Sequence, residues 1–388
     1  MHETTKKIKV IHVVDSLETG GLENGIVNIC NRLDRTRFDP MICCTRGIGP
    51  MANRLKPDVL VANMNFPEGK APLRPLVMAR FFRKEKPDLV HTHGFAGGFY
   101  EGVIGARLAG GITTINGEHG ALWLKLHQVY IQRIITTLCN TILSVSETLK
   151  IELVKKLGIL PAKIKVIPNG VDVQTFTGNY DMAEIKQELF NKLGVVINKD
   201  TLVLGCIGSL KPAKNQKMLI NAIKKVSKNN KNNNLMVLFI GDGPDRIGLE
   251  RDVIDAGLNN RIFFLGEQRN IAKLLSIINV LVSTSIPEWE GMSNVILEGM
   301  SSGVPVIATR SVGTSELVIN GVNGFLIEPY NIGDLCNKIQ SFQNNPNLYK
   351  QLGLNARQIV CEKYSIEKMV SSYEAVYINS LESGIADH

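Results

Sequence analysis

Short runs of β-branched and aliphatic residues alternate with segments of helical periodicity along the sequence, and a glycine-containing or polar loop follows most of the runs. The first unit reads IKVIHVV, then the loop DSLETGG, then LENGIVNICNRL, whose apolar residues recur at helical spacing. Strands that alternate with helices in this way form parallel sheets that carry helices on both faces. The alternation therefore predicts a doubly wound α/β protein.

The alternation appears twice, on either side of a polar stretch near Gly178. After this stretch, the strand-like runs are TLVLGCIGSL, LMVLFIGDGP, RIFFLGE, VLVSTS and VPVIAT. A chain of 388 residues has room for about two domains at ~100–200 residues each. We predict two tandem Rossmann-like domains, residues 1–175 and residues 176–365. Ligands bind such domains at the carboxyl ends of the strands, so the predicted site is a central cleft between two facing domains.

The positive charge of the protein is concentrated in the first half of the sequence. Up to Val173 there are 23 Lys and Arg against 15 Asp and Glu, an excess of eight, whereas the remainder holds 21 of each. A basic half can attract nucleic acid, an anionic membrane or a phosphorylated substrate, and charge alone does not choose among them. Aromatic residues make up 6% of the chain and do not interleave with basic strands, so we expect no nucleic-acid partner.

The cysteines and the apolar segments indicate a cytoplasmic protein. The seven cysteines are odd in number and include no C-x-x-C pair, so we expect neither disulfides nor structural zinc. The first residues, MHETTKKIKVIHVV, lack the apolar core and cleavage site of a signal peptide. The longest mostly apolar stretch, near LLSIINVLVSTSI, is shorter than the ~20 residues of a spanning helix. Peripheral attachment to the inner face of the cytoplasmic membrane stays open.

The segment PEWEGMSNVILEGMSSGVPVIAT is the most informative in the sequence. A helix is predicted to begin near Ser293 or Asn294, and the positive end of a helix attracts anions and sugar hydroxyls. Glu290 precedes this helix, and Glu298 lies one turn inside it. Carboxylates accept hydrogen bonds from diols, which suits one glutamate to a hexose and the other to a ribose. Two solvated glutamates are the alternative. The predicted substrate-binding residues of this turn are Gly291, Met292, Ser293, Asn294 and Glu298.

The same segment resembles the retaining glycosyltransferases of family 4, and the resemblance covers nearly all of the chain in the family's order. The matching segments are ETGGLENGIVN, PDLVHTHG, NGEHG, SVSETLK, KIKVIPNGVDVQTF, GSLKPAKNQ, IGDGPDR, FLGEQRNI and SVGTSELVINGVNGFLI. The resemblance implies a GT-B fold in which the first domain binds the acceptor and the second binds a nucleotide diphosphate sugar. It also implies retention at the anomeric carbon, no obligatory metal or other cofactor, and a C-terminal helix, residues 366–388, that crosses back to the first domain.

The loop GSLKPAKNQ carries the cations that we expect at the leaving diphosphate, whose developing charge an ammonium stabilises. Family members usually have Arg directly after the glycine, where this chain has Ser209. Lys214 matches the family's lysine and is the predicted catalytic cation, and Lys211 is a candidate substitute for the missing Arg. The alternative is a pair of exposed lysines at a helix entry.

Glycine-containing turns are the remaining candidates for close approach of backbone to ligand. Gly20 and Gly21 follow the first strand, where a tight turn without a ligand is the alternative. Gly241 and Gly243 follow a later strand but do not form G-x-G-x-x-G, so a dinucleotide site is not predicted. We assign all four glycines to substrate binding.

Three histidines, His91, His93 and His119, fall at predicted strand ends. They lack the spacing of a metal site, so no metal is predicted. His119, in NGEHG, matches the family position near the transferred sugar, and we assign it a catalytic role. Glu118 beside it is left without a role. Glu316, in GTSELV, matches the family's glutamate after the glycine-containing loop and is predicted to position that loop near the donor.

We therefore predict a glycosyltransferase of cell-surface polysaccharide, lipopolysaccharide or exopolysaccharide synthesis. A front-face displacement would release the diphosphate against Lys214 while Glu290 holds the sugar hydroxyls and Glu298 the ribose. The expected partners are a nucleotide sugar and a glycan or lipid-linked acceptor. Two alternatives stay open. One is a sugar-nucleotide epimerase of GT-B fold, which would consume donor without acceptor, and the other is a binding protein without catalysis.

The segment LRPLVMARFFRKEK is the candidate for membrane contact because it combines apolar and basic residues. In a doubly wound domain such a helix is expected to place its apolar residues on the sheet and leave its charges outside. We therefore expect electrostatic, salt-reversible attachment rather than insertion. The basic residues are Arg74, Arg80, Arg83, Lys84 and Lys86, and the apolar ones are Leu73, Leu76, Val77, Phe81 and Phe82.

Overall fold

The computed structural model describes residues 6–69, 71–94, 98–120, 126–178, 180–229, 234–289 and 291–386. The chain divides into two compact units. Unit 1 comprises Met1–Gly170 together with Ile366–His388, and unit 2 comprises Val171–Ser365. Each unit is built on one parallel sheet, which confirms the predicted α/β class.

Unit 1 has a seven-stranded sheet in the order β3-β2-β1-β4-β5-β6-β7, and all neighbouring strands run parallel. The strands are β1 (Ile8–Ser16), β2 (Phe38–Gly47), β3 (Leu60–Asn63), β4 (Leu89–His93), β5 (Thr113–Glu118), β6 (Thr141–Ser144) and β7 (Ile164–Val166). The helices between them are α1 (Gly21–Arg32), α2 (Arg74–Glu85), α3 (Phe99–Leu108), α4 (Leu126–Leu138) and α5 (Glu147–Leu157).

Unit 2 has a six-stranded parallel sheet in the order β10-β9-β8-β11-β12-β13. Its strands are β8 (Leu202–Ile207), β9 (Leu235–Ile240), β10 (Ile262–Phe264), β11 (Val280–Ser283), β12 (Val306–Thr309) and β13 (Gly324–Ile327). Its helices are α6 (Met182–Leu193), α7 (Gln216–Asn229), α8 (Arg246–Asp255), α9 (Ile271–Leu275), α10 (Asn294–Ser301), α11 (Thr314–Leu317), α12 (Ile332–Asn344) and α13 (Pro346–Lys363).

The strand orders place a topological switch in each sheet. In unit 1 the order reverses between β1 and β4, and in unit 2 it reverses between β8 and β11. Loops that leave the carboxyl ends of such strands diverge to opposite faces of the sheet and open a crevice for ligands. The predicted residues lie partly in loops at these switches, after β1 in unit 1 and after β8 and β11 in unit 2, and partly in loops after the nearby strands β5, β9 and β12.

The last helix, α14 (Ile366–Ala386), belongs to unit 1. Its buried residues Ile366, Val370, Tyr373 and Tyr377 recur at helical spacing and pack in one core cluster with residues of β1, β4, β5 and α1. Burial of so large an apolar face contributes several kcal/mol to the stability of unit 1, at ~25 cal/mol per Å². This helix covers one face of the unit 1 sheet, and α2 and α3 contribute to a core cluster on the other.

Helix α2 departs from the sequence expectation. Its buried residues are Arg74, Met78, Ala79 and Phe82, which form one stripe. The apolar side chains of Leu73, Leu76 and Val77 lie on the opposite face and are 66%, 55% and 48% exposed. The expectation that the apolar residues of this segment pack against the sheet is therefore wrong for these three residues.

Strand β13 lies in the segment GVNGFLI, which is not among the strand-like runs identified from the sequence. Its two glycines and one asparagine suggest a turn, but Gly324 pairs with Val306 at the start of a parallel ladder that continues to Ile327. Among the described residues, no helix combines the length and hydropathy that crossing a bilayer requires.

Candidate functional site

The loops that follow β8 and β9 are packed together so closely that glycine is required. A Cβ on Gly241 would lie 2.2 Å from the carbonyl oxygen of Gly208, and a Cβ on Gly243 would lie 2.4 Å from that of Leu210. Both glycines also have positive φ, of 133° and 158°. Leu210 N donates to Asp242 O at 2.9 Å. The two predicted glycines therefore hold the cation-bearing loop in place.

That loop carries Ser209, Lys211 and Lys214. Ser209 and Lys211 are exposed, and Lys214 is half-buried at the end of a 3-10 turn, Pro212–Lys214. The Cε of Lys214 lies 3.8 Å from the point where a Cβ on Gly208 would sit, so its chain extends over the end of β8. Thr284 Oγ1, after β11, donates to Lys214 O at 3.1 Å. The turn is thus fixed to the loops on both sides of the β8–β11 switch.

Helix α10 begins at Asn294, as predicted, with Ser293 as its N-cap. Met292 and Ser293 are buried, whereas Gly291, Asn294 and Glu298 are half-buried. Glu298 lies in the second turn of the helix. The predicted Glu290 lies outside the described residues.

The loop after β12 packs against the chain that enters α10. A Cβ on Gly313 would lie 2.2 Å from the carbonyl oxygen of Gly291, which again requires glycine. Glu316 follows in α11 and is half-buried, and Tyr364 Oη donates to its carbonyl oxygen at 3.3 Å. Burial raises the pKa of Tyr364, and the neighbouring Glu316 carboxylate raises it further. Glu316 thus stands where it can position this loop.

In unit 1, Gly20 and Gly21 form the entry to α1. Gly20 is extended, with φ −165°, and α1 begins at Gly21. A Cβ on Gly20 would lie 2.2 Å from Glu23 Oε2, so this carboxylate folds back over the turn. Burial raises the pKa of Glu23, and Glu18 raises it further. Glu23, which the sequence did not single out, therefore lies against the glycine turn.

His119 lies just after β5 and is one of four histidines in a row on the sheet face that α14 covers. His93 Nδ1 is 3.3 Å from His119 Nε2, and His93 Nε2 is 3.0 Å from His12 Nδ1. His91 Nδ1 is 2.9 Å from Tyr377 Oη. His12, His91 and His93 are 0–1% exposed.

All four imidazoles are neutral near pH 7. Burial lowers the pKa of His12 to about 3 and that of His119 to about 4. It lowers the pKa values of His91 and His93 well below the ordinary value, and neighbouring histidines lower them further. His12 and Tyr377 were missed from the sequence. The signal for His12 was its place in a strand that aligns in parallel with PDLVHTHG, since His12 is the register partner of His91.

Glu118 lies on the opposite face of β5, away from the histidines. It is 4% exposed, and burial raises its pKa to about 8, while a hydrogen bond from Asn116 opposes the shift. Thr92 Oγ1 in turn donates to Asn116 Oδ1 at 2.7 Å. The structure thus separates Glu118 from His119, although the two are adjacent in sequence.

The predicted residues therefore fall into two groups, one in each unit. In unit 2 they lie at the carboxyl ends of four neighbouring strands, β9, β8, β11 and β12. In unit 1 they lie after β1 and β5. The unit 2 group combines an ammonium, the positive end of a helix and glycine-lined backbone, an arrangement suited to a phosphorylated ligand.

Two family models match the chain. The model described as "Glycosyl transferases group 1" matches residues 187–359, and the one described as "Glycosyltransferase Family 4" matches residues 19–175.

Curated relatives extend over most of the chain. It is 28% identical to a UDP-Gal:alpha-D-GlcNAc-diphosphoundecaprenol alpha-1,3-galactosyltransferase of Escherichia coli, over 98% of this chain and 99% of the relative. It is 33% identical to an uncharacterized glycosyltransferase of Methanocaldococcus jannaschii, over 75% of each. Among solved structures, Anabaena Alr3699/HepE in complex with UDP-glucose superposes with a TM-score of 0.80 at 22% identity, over 96% of this chain and 100% of that one. The structural likeness shows the fold.

Proposed function

Because the chain belongs to the glycosyltransferases of family 4, we propose that it transfers a hexose, with retention at the anomeric carbon, from a uridine diphosphate sugar to a lipid-linked glycan. The observation that carries the proposal is the packing of the loops after β8, β9, β11 and β12 around Lys214 and the start of α10. The uridine and the lipid-linked acceptor are suggested by the full-length relative, which uses UDP-Gal and a diphosphoundecaprenol acceptor.

The reaction that we propose is a front-face displacement. The bond between the anomeric carbon and the diphosphate oxygen breaks, a bond to the acceptor oxygen forms on the same face, and the departing phosphate oxygen takes the acceptor's proton. Lys214, with Lys211, stabilises the charge that develops on the diphosphate, and the positive end of α10 adds to this field. Ser209 supplies a hydroxyl where relatives have a cation.

The remaining unit 2 residues hold the donor in this scheme. Glu290 accepts hydrogen bonds from the sugar hydroxyls, and Glu298 accepts them from the ribose. Gly241 and Gly243 let the backbone approach the nucleotide closely. Gly291, Met292, Ser293 and Asn294 form the wall at the helix start, and Glu316 positions the neighbouring loop.

In unit 1, His119 contacts the transferred sugar, and Gly20 and Gly21 admit the ligand near α1. No metal takes part in the proposed reaction, because the lysines supply the positive charge that a divalent cation would otherwise bring to a diphosphate. The histidine group of unit 1 is poorly suited to bind a cation. One ring nitrogen from each of His12, His91 and His93 lies within 4.8 Å of the others, but both ring nitrogens of His93 are already used in hydrogen bonds to other histidines.

The experiment that tests this function follows a labelled UDP-hexose in the presence and absence of a lipid-diphosphate sugar acceptor. We expect release of UDP and labelled lipid only when the acceptor is present, an α-linked product, and undiminished activity in EDTA. Conversion of the donor to a different nucleotide sugar without acceptor would favour the epimerase instead. Loss of activity in EDTA with rescue by Mn²⁺ would contradict the metal-independent scheme.

We further propose that unit 1 attaches to the anionic cytoplasmic face of the membrane, which would bring the enzyme to its lipid-linked acceptor. Arg80, Arg83 and Lys84 are exposed on α2. Leu76 and Val77 of the same helix, and Leu73 at its N-cap, are also exposed, so attachment has an apolar as well as an electrostatic component. Helix α4, which packs against α3 rather than α2, carries a separate exposed apolar stripe, in which Leu126 and Tyr130 are 90% and 70% exposed.

Sedimentation with vesicles tests the attachment. We expect binding to anionic vesicles at low salt and partial release at high salt. Equal partition onto neutral and anionic vesicles, or no binding to either, would contradict the proposal and favour a soluble acceptor or a protein partner.

A further inference from the structure

Three of the unit 1 histidines form a continuous hydrogen-bonded chain, which we call the histidine chain: His12, His93 and His119. The links are His12 Nδ1 to His93 Nε2 at 3.0 Å and His93 Nδ1 to His119 Nε2 at 3.3 Å. The rings of His12 and His93 stack with an interplanar angle of 11°. The chain thus runs from the middle of β1, through the end of β4, to the residue that we assign to the sugar.

Each ring of the chain is neutral and carries one N–H, because burial disfavours the charged form. Two patterns are then consistent with the distances. In the first, His12 Nδ1–H donates to His93 Nε2, His93 Nδ1–H donates to His119 Nε2, and His119 carries its own hydrogen on Nδ1. In the second, His119 Nε2–H donates to His93 Nδ1, and His93 Nε2–H donates to His12 Nδ1. This pattern leaves the Nε2–H of His12 itself pointing into the core.

The surroundings of His12 decide between the two patterns. Among the residues that the structure describes, no group lies within hydrogen-bonding distance of His12 Nε2. A buried N–H without an acceptor is rarer in proteins than an acceptor without a donor. The first pattern leaves only an unused acceptor lone pair on His12 Nε2, whereas the second leaves an unused N–H there. The first pattern is therefore favoured.

We propose that His12 and His93 are positioning residues that fix the tautomer of His119, so that its Nε2 accepts from His93 and its hydrogen is held on Nδ1. His119 then meets an oxygen of the ligand as a hydrogen-bond donor of fixed direction. The identity of that ligand as the transferred sugar rests on the proposed function.

Gly117 provides the space that this arrangement needs. It is the register partner of His93, and a Cβ there would lie 3.0 Å from His119 Nε2 and 3.1 Å from His91 Nε2. Both distances are too short for an unstrained contact with a side chain. Glycine at this point keeps the accepting nitrogen of His119 within reach of His93.

His91 offers a matched control, since it is equally buried and touches the histidine chain without belonging to it. Its Nδ1 pairs with Tyr377 instead, and its ring centroid is 4.1 Å from that of His93. Replacing His91 removes one buried imidazole from the cluster but leaves both links of the chain in place.

The test is nitrogen-15 NMR of histidine-labelled protein, in which the shifts of Nδ1 and Nε2 report which nitrogen carries hydrogen. In the wild type we expect His119 with hydrogen on Nδ1. His12→Phe should mix the tautomers of His93 and His119 and lower kcat/KM by roughly tenfold or less, since one oriented neutral hydrogen bond is affected. His91→Phe should leave the His119 tautomer unchanged. His12→Asn, whose amide nitrogen replaces Nδ1, should restore it.

Several outcomes would overturn the proposal. These are a wild-type His119 with hydrogen on Nε2, or equal tautomer changes in His12→Phe and His91→Phe. The wild-type measurement needs no variant, so it holds even where a substitution prevents folding. His119→Ala tests the catalytic role of His119 separately from the proposal that the histidine chain fixes its tautomer. If this variant transfers sugar at the wild-type rate, the catalytic role of His119 fails, while the tautomer of the wild type still decides the proposal.

Discussion

The two units place their candidate groups in opposite environments. In unit 2 the candidate cations lie in the loop after β8, where Lys211 is exposed and Lys214 is half-buried. In unit 1 His12, His91 and His93 lie inside the sheet and are neutral. Charged groups near solvent suit a ligand that carries charge, such as a diphosphate. Neutral buried groups suit a sugar hydroxyl, which is uncharged and is recognised through oriented hydrogen bonds. The comparison predicts that the units respond differently to pH and to mutation.

The largest expected effect is acid destabilisation of unit 1 alone, because all seven histidines of the sequence belong to that unit. The unfolded chain binds protons at its histidines below about pH 6.5, whereas the buried histidines, with lowered pKa values, stay neutral. Stability is therefore lost as the pH falls below 6.5. Between pH 7.5 and pH 5 each of the three fully buried histidines costs about 2 kcal/mol.

Glu118 opposes this trend. Its pKa is raised to about 8, so the folded state keeps a proton that the unfolded chain loses above about pH 4.5, and its contribution improves as the pH falls. Between pH 7.5 and pH 5 this gain amounts to about 3 kcal/mol, which leaves a net loss of about 3 kcal/mol for unit 1. Hydrogen exchange, corrected for intrinsic rates, should show β1 and β4 losing protection at pH 5 while β8 and β9 keep it. Equal losses in both sheets would contradict the comparison.

The second prediction concerns Lys214. Lys214→Ala should lower kcat/KM for the donor about a hundredfold, or about 3 kcal/mol, because a preorganised charge at the leaving group is lost. Lys217→Ala is the matched control, since Lys217 is close by in sequence but is paired with Asp252 at 3.0 Å. Ser209→Arg should be tolerated or raise the rate. An unchanged rate in Lys214→Ala would place the diphosphate elsewhere.

The loops of unit 2 could be predicted from sequence because their geometry is local. Gly241 and Gly243 follow β9 within three residues, and one continuous segment of sequence leads from β11 into α10, so the motif and the structure coincide. The histidine chain could not be predicted, because it depends on the register of β1 against β4 and on Tyr377, which lies 286 residues from His91. The exposed Leu76 was also missed, since helical periodicity alone does not say which stripe of a helix faces the sheet.

The third prediction tests the glutamates of the donor group. Glu290→Ala and Glu298→Ala should each lower kcat/KM about tenfold or more with the fold intact, because each removes charge-assisted hydrogen bonds worth about 1.5–3 kcal/mol. The measurement is donor saturation kinetics together with circular dichroism. Glu328→Ala serves as the control, since Glu328 pairs with Arg310 at 2.9 Å. Wild-type rates in both glutamate variants would remove these residues from the site.

The smallest effect per residue is expected at the membrane, and it again separates the units, because the charge excess lies in the first half of the chain. Each basic residue near an anionic surface contributes about 1 kcal/mol, so single reversals, Arg80→Glu, Arg83→Glu or Lys84→Glu, should each weaken partition onto anionic vesicles about fivefold or more. Reversal of Lys224 and Lys225, which are exposed on α7 of unit 2, should change nothing. Leu76→Ser should lower the fraction that stays bound at high salt, where screening weakens the electrostatic part. If the reversals in unit 2 release the protein from vesicles as readily as those in α2, attachment depends on net charge rather than on the exposed face of α2. The two units would then not differ in membrane binding, contrary to the comparison.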